Sequence, residues 1–435
     1  MKMRPFELTL IVVFVILMLV SLLFLSTYKA KKDNNGLPVI GTVSIWGTLP
    51  KDGVVKAISD LKETNEAYRG VSYKEISSDT FDAELVNALA DGKGPDVILV
   101  SHERLVSLRN KIKPVSYDSF PLRDIKSVYV DGAQIFALSD GLYAYPVMVD
   151  PLMMYWNKNI LATDNLLQAP ATWESLVNEY LPTLIRRNAD RSISRSVVAM
   201  GEYHNVNNAF GILSALLFQA GTKGVTNSQE NYYKINLDES QDDSIKPLTV
   251  SVDFYTRFSK PTNSLYSWNR SFSSDKDRFL SEELALYFGY GSEAYDIEKQ
   301  NPNLSFDIAE IPQGASATVR RTYGRFYGLS ALKSSGNLVG ASAVMQDLSS
   351  KDISEKLAKS YNMVPVQRLS ASAGSDDTYG RLTYKSGPIS YGWLSPKQEI
   401  VNTIFTTMTQ DINENRYDTT RAVSDGLGRL QMEYN

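Results

Sequence analysis

The chain has 435 residues, a formal net charge of −4, no cysteine and two histidines. That length suffices for two or three domains of ~150 residues, and 43% hydrophobic with 22% charged residues is the composition of a folded protein. Without cysteine there are no disulfides, thiolate-bound metals, cysteine nucleophile or lipid-modified cysteine, and His102 and His204 lie too far apart for a two-histidine metal motif on one helix.

Residues 8–25 form an apolar run whose only polar members are Thr9 and Ser21. A helix of ~20 such residues spans the hydrocarbon core of a bilayer. Residues 1–32 are therefore expected to be an uncleaved, single-pass membrane anchor, followed by a polar linker over 33–39. A cleaved signal peptide is the alternative, but its apolar core is usually ~7–15 residues, and no small-residue cut site follows the run. Lys2 and Arg4 precede the run and Lys29, Lys31 and Lys32 follow it, so flanking charge does not orient it. This leader holds five of the 45 basic residues and one of the 49 acidic ones, which leaves residues 33–435 at −8. An acidic body argues against nucleic acid, whose phosphates demand clustered lysine and arginine.

Beyond the linker the pattern alternates. Residues 40–46 read as a strand, 51–68 as a helix, 71–76 as a strand, 79–91 as a helix and 96–100 as a short strand. Such a β-α-β-α-β run makes a parallel sheet with helices on its faces. Ligands of open α/β sheets bind beyond the carboxyl ends of the strands. Here those ends carry Trp46-Gly47-Thr48, Ser77-Ser78 and Ser101-His102-Glu103-Arg104. Neither Gly-x-Gly-x-x-Gly nor a phosphate-cradling Gly-Lys-Ser/Thr loop occurs, so no nucleotide cofactor is expected. Residues 142–149 and 152–156 read as two extended stretches, with Pro146 and Asp150-Pro151 as interruptions. Thr172 caps a helix to about 185, and residues 205–220 form a buried helix. Serine- and aspartate-rich loops are expected over 267–277 and 369–377, a partly helical stretch over 279–288, and two helical pieces over 397–430.

Several segments in order carry a resemblance: Ser44-Ile45-Trp46-Gly47, Gly92-Lys93-Gly94-Pro95-Asp96-Val97, Ala144-Tyr145-Pro146-Val147-Met148-Val149-Asp150, Met154-Tyr155-Trp156-Asn157-Lys158, Thr172-Trp173-Glu174 and Leu286-Tyr287-Phe288-Gly289-Tyr290. The set resembles the family-1 extracellular solute-binding proteins of ABC importers, the maltose-binding-protein family. The resemblance implies the two-lobe, type II periplasmic-binding-protein fold, with a hinge and a cleft between the lobes. One lobe would comprise 40–148 plus 314–362 and the other 151–309 plus 366–435. It also implies an extracytoplasmic body that acts as a monomer, without cofactor or metal. Such a body holds a small solute, a sugar above all, and hands it to ABC permease subunits.

By matching position the resemblance assigns substrate contacts to Trp46, Lys51, Glu103, Arg104, Asp150, Tyr290, Ser292 and Trp393. Carboxylates and arginine hydrogen-bond paired hydroxyls, and aromatic faces stack on the C–H side of a sugar ring. Pro50 stands where the family's sugar binder has an acid, and Ser292 where it has a tryptophan, so maltodextrin specificity does not follow. Structural roles compete: Trp46 or Trp393 as core, Glu103 and Arg104 as a solvated pair, Asp150 as a turn residue. Two other functions also remain open at this point. One is an anchored glycosidase using Glu103 and Asp150; the other is a sensing ectodomain.

Overall fold

The computed structural model describes residues 40–229, 232–242 and 244–434. The expected anchor over 1–32 and linker over 33–39 lie outside the described residues. Among the described residues no helix is long and apolar enough to cross a membrane.

In chain order the elements that build the site begin with β1 (Val43–Gly47), α1 (Lys51–Thr64), β2 (Val71–Glu75), α2 (Phe81–Ala90) and β3 (Val97–Ser101). They form the parallel ladder β2-β1-β3 that the sequence pattern predicts. Every residue of β3 is buried, as expected for a strand with layers on both faces. The helix expected over 51–68 stops at Thr64 because Asn65 turns to extended backbone. Its side chain then accepts from Ala67 N and starts a 3-10 turn over Glu66–Gly70.

Next come β4 (Tyr145–Asn157), β5 (Ile193–Val198), α3 (Ala209–Gln219), the hairpin of β6 (Thr222–Gln229) and β7 (Tyr232–Ser240), α4 (Asp275–Leu280), β8 (Leu284–Tyr290), β9 (Phe306–Glu310) and β10 (Thr322–Ala331). Two helices, α5 (Gln398–Asn413) and α6 (Thr419–Met432), close the chain. These are the two helical pieces expected over 397–430, separated at a turn where Asn415 takes φ 55°. Among the described residues the main sheet has eleven strands, and its central path runs β2-β1-β3-β10-β4-β8-β5.

Three expectations change. The two extended stretches around residue 150 are one strand, β4. Its prolines do not break it because each faces a glycine of β10: Pro146 opposite Gly328 and Pro151 opposite Gly324. Proline cannot donate to the ladder, and the bare glycine lets the two backbones stay close. Of the stretch 279–288, expected to be partly helical, only Phe279 and Leu280 are helical, at the end of α4, and Leu284–Tyr290 is strand. The run Leu-Ala-Leu-Tyr-Phe is buried on both faces between β4 and β5, where no amphipathic period is required. The polar stretches 267–277 and 369–377 are not wholly loop, since α4 starts at Asp275 under a Ser274 cap and a short helix occupies Arg368–Ala373. Thr172 does cap its helix, which passes through a π-helical turn at Leu176–Tyr180.

β4 is the pivotal element. Residues 145–151 pair with β10, and Met148 and Val149 also pair with Pro365 and Val364. Residues 152–157 pair instead with β8 and β9. One strand thus leaves one half-sheet and enters another at Asp150–Leu152. Packing at this crossing is tight: a Cβ on Gly324 would lie 2.6 Å from Val149 Cγ2 and 2.8 Å from Ser390 Cβ. Gly324→Ala is expected to destabilise by about 1–3 kcal/mol, the usual cost of overpacking. Urea unfolding reads this out, and an unchanged midpoint would refute the tight crossing.

Candidate functional site

The carboxyl ends of β1, β2 and β3 open into a cavity of ≈ 310 Å³. Thr48, Ser78 and Ser101 reach it from the strand ends, with Glu103 and Arg104 from the turn that follows β3. Arg325 and Tyr327 of β10 line its floor, and Lys397, Gln398 and Asn402 close it from the start of α5. A larger cavity of ≈ 430 Å³ lies between residues 131–138, the β6 strand and residues 391–394. The strand ends do not open into it, so the smaller cavity is the one the topology singles out.

Glu103 is buried, with both carboxylate oxygens in contact with neighbours. Tyr323 Oη donates to its Oε1 at 2.6 Å, Arg325 Nε donates to the same oxygen at 3.2 Å, and Ser101 Oγ reaches Oε2 at 3.4 Å. Burial by itself would raise its pKa. The Arg325 guanidinium, with His102 and the Tyr323 hydroxyl, outweighs burial and holds the carboxyl below its usual range. Neighbouring His102 is enclosed, and its Nδ1 accepts from Phe326 N at 3.1 Å. Burial lowers its pKa to about 4, against the opposing pull of Glu103.

Arg104 is fixed on the opposite wall. It donates through Nε to Asp82 Oδ1 at 3.2 Å and through Nη2 to the Ser78 carbonyl at 2.6 Å and hydroxyl at 3.1 Å. Two of the eight residues expected from sequence, Glu103 and Arg104, therefore border the cavity.

Asp150 and Ser292 are brought together, but with each other. Ser292 donates from its backbone N to Oδ1 at 3.0 Å and from Oγ to Oδ2 at 2.6 Å. This tie links the β4 crossing to the turn after β8. Burial pushes Asp150 up to about 7, with the two Ser292 bonds and Arg325 pulling the other way. Tyr290 is buried beneath Arg325, whose guanidinium lies 3.9 Å from the ring centroid.

The remaining three stand apart. Trp46 is half-buried with Lys74 Nζ 4.3 Å over its ring. Lys51 is exposed at the start of α1, where its backbone N donates to Glu75. Trp393 is buried against Phe210 and Phe405, donates to Ser214 Oγ at 3.0 Å, and borders the larger cavity.

Sequence reasoning missed Arg325, Tyr323 and Tyr327, and the start of α5. A signal was present in Gly324-Arg325-Phe326-Tyr327-Gly328. A lone arginine in an aromatic, glycine-flanked strand needs a polar neighbour, because an unpaired charge does not stay in a core.

A family model described as "Bacterial extracellular solute-binding protein" matches residues 56–379. The maltodextrin-binding protein MdxE of Bacillus subtilis (strain 168) is 28% identical over 160 residues, which is 35% of this chain and 33% of that protein. The aligned stretch thus spans about a third of the length of that curated relative. Among solved structures, a cyclo/maltodextrin-binding protein complexed with maltotetraose superposes with a TM-score of 0.72 at 15% identity, covering 93% of this chain and 98% of the other. An ABC transporter solute-binding protein from Thermotoga lettingae TMO, bound with α-D-tagatose, superposes at 0.67 with 17% identity, covering 91% and 100%. At such identities the likeness establishes a shared mixed α/β fold.

Proposed function

Because the chain belongs to the bacterial extracellular solute-binding proteins, we propose that it captures a small carbohydrate in the cleft bordered by Glu103, Arg104 and Arg325 and presents it to an ABC importer. The observation that carries this reading is the pair of fixed acid–arginine contacts at the mouth of a parallel sheet. Glu103 with Arg325 and Asp82 with Arg104 offer preorganised acceptors and donors to neighbouring hydroxyls. The relatives' sugars, maltotetraose and tagatose among them, point to the same ligand class.

In this reading the lobes are 40–148 with 314–362, and 151–309 with 366–435. The β4 crossing lies in the hinge between them. The body works as a monomer outside the cytoplasm, held at the membrane by residues 1–32. Glu103, Arg104 and Arg325 contact the solute, while Asp150, Ser292 and Tyr290 hold the hinge beneath it. Trp46, Lys51 and Trp393 take part only if the lobes rearrange on binding.

Binding without turnover is the chemistry these groups favour. A glycosidase needs one carboxyl kept protonated beside its substrate. Glu103 is held in the ionised form, and Asp150, whose pKa is raised, has both oxygens occupied by Ser292 away from the cavity.

A thermal-shift panel of sugars, amino acids, peptides and polyamines on the purified full-length chain tests the proposal. A sugar at ~100 times its dissociation constant should add about 2.7 kcal/mol of stability and be recovered intact. Stabilisation by a peptide or polyamine alone, or recovery of a cleaved sugar, would reject it.

A further inference from the structure

Every charged group of the cleft but one has an ion-pair partner, and the exception is an acid. Arg104 is paired with Asp82, Arg325 with Glu103, and Lys397 with Glu399 at 2.7 Å. Asp79, at the end of the turn after β2, also lines the cavity and has no ion-pair or hydrogen-bond partner among the described residues. The lining therefore holds four carboxylates against three cations. A solute carrying its own carboxylate or phosphate would add negative charge to a lining already one carboxylate in excess and would meet the field of Asp79. A neutral polyol adds none. Guanidinium carries five N–H donors and a carboxylate about four acceptor positions, so each pair keeps unused valence for hydroxyls.

Size points the same way. At ≈ 310 Å³ the cavity sits at the bottom of the ~300–1,000 Å³ range of ligand pockets. Tyr327 is the single aromatic residue on its lining. The other aromatic candidates are already covered: Trp46 by Lys74, Tyr290 by Arg325, and Trp393 by Phe210 and Phe405. A chain of several sugar rings would need a row of open aromatic faces, and the cleft presents one.

We propose that the cleft selects an uncharged saccharide of one or two rings, and that Asp79 is the specificity-determining residue that turns away acidic counterparts. This rests on the carbohydrate-binding reading above and narrows it. The test is calorimetric titration of the full-length chain at pH 7. Its probes are glucose, galactose, maltose and trehalose, then maltotriose and maltohexaose, then glucuronate and galacturonate.

The expected result has three parts. At least one neutral mono- or disaccharide binds. Adding rings beyond two gives no gain in affinity. Each uronate binds at least tenfold more weakly than its parent hexose. In the Asp79→Asn variant the ratio of uronate affinity to parent-hexose affinity should rise severalfold. A tenfold gain from maltose to maltohexaose, or a uronate equal to its parent, overturns the inference and leaves the carbohydrate reading intact. An unchanged uronate penalty in Asp79→Asn overturns the role of Asp79. If none of the saccharides binds, the carbohydrate reading itself falls, and this inference with it.

Discussion

Replacing Arg325 by alanine is expected to abolish saccharide binding and to lower the unfolding free energy by about 2–4 kcal/mol. The guanidinium stands at the junction of three groups. It donates to Glu103 at 3.2 Å, covers the face of Tyr290 at 3.9 Å, and lines the cavity floor. Its removal leaves Glu103 as a buried carboxylate with only hydroxyl partners. Losing one member of a buried pair costs about 3–5 kcal/mol. The Arg325 side chain is 34% exposed, so water recovers part of that and the lower values apply. Adding Glu103→Gln to Arg325→Ala removes the stranded charge and should restore part of the stability, but not the binding. Urea unfolding and titration calorimetry measure the two effects separately. A variant that keeps normal affinity would show that the cleft is not the binding site.

Thermal stability should rise as the pH falls from 8 to about 5, and Asp150→Asn should flatten that rise. Burial pushes Asp150 and Asp275 both up to about 7, from an unfolded value near 3.8. Between those limits the folded protein binds protons that the unfolded chain does not. Their contribution therefore grows as pH falls through the window and is lost as pH rises toward 7. His102 acts in reverse. Its folded pKa is depressed to about 4, so the unfolded chain protonates first, near 6.5, and stability is lost below that point. Two carboxyls against one imidazole leave a net gain on acidification, shallower below 6.5. Glu103, held below its usual range, enters with the opposite sign only at more acidic pH. A shift from 3.8 to about 7 corresponds to on the order of 4 kcal/mol per group. The net effect should appear as several degrees in Tm. A Tm that stays flat or falls from pH 8 to 5.5 at constant ionic strength contradicts this, as does an unaltered slope in Asp150→Asn.

The parts of the molecule that local pattern governs were legible from sequence. β1 to β3 and their helices follow from apolar spacing punctuated by Gly47, Gly70 and Gly92, and that alone located the mouth of the sheet. The resemblance picked out Glu103 and Arg104. What could not be read was decided by distant partners. Whether Pro146 and Pro151 break a strand depends on glycines that return at 328 and 324. Whether Leu284–Tyr290 is strand or helix depends on β4 and β5 flanking it, since a run buried on all sides carries no period. The placement of the aromatic candidates was hidden for a similar reason. Tyr290 and Trp46 are exposed or covered according to where Arg325 and Lys74 lie, and only tertiary structure fixes that.

The crossing strand also sets the order in which the protein can be completed. β3 lies against β10 with Val97 opposite Ala331, and β4 lies against β10 with Asp150 opposite Arg325. During synthesis the first half-sheet therefore stays open-edged until residues 322–331 have emerged. Contacts between residues so distant in sequence give a high contact order, and loop closure must be accomplished before any pairing rewards it. The second half-sheet takes its strands from residues 152–310, so its pairing does not wait for β10. The first half-sheet is thus the later of the two to close, with an open β3 edge until β10 emerges.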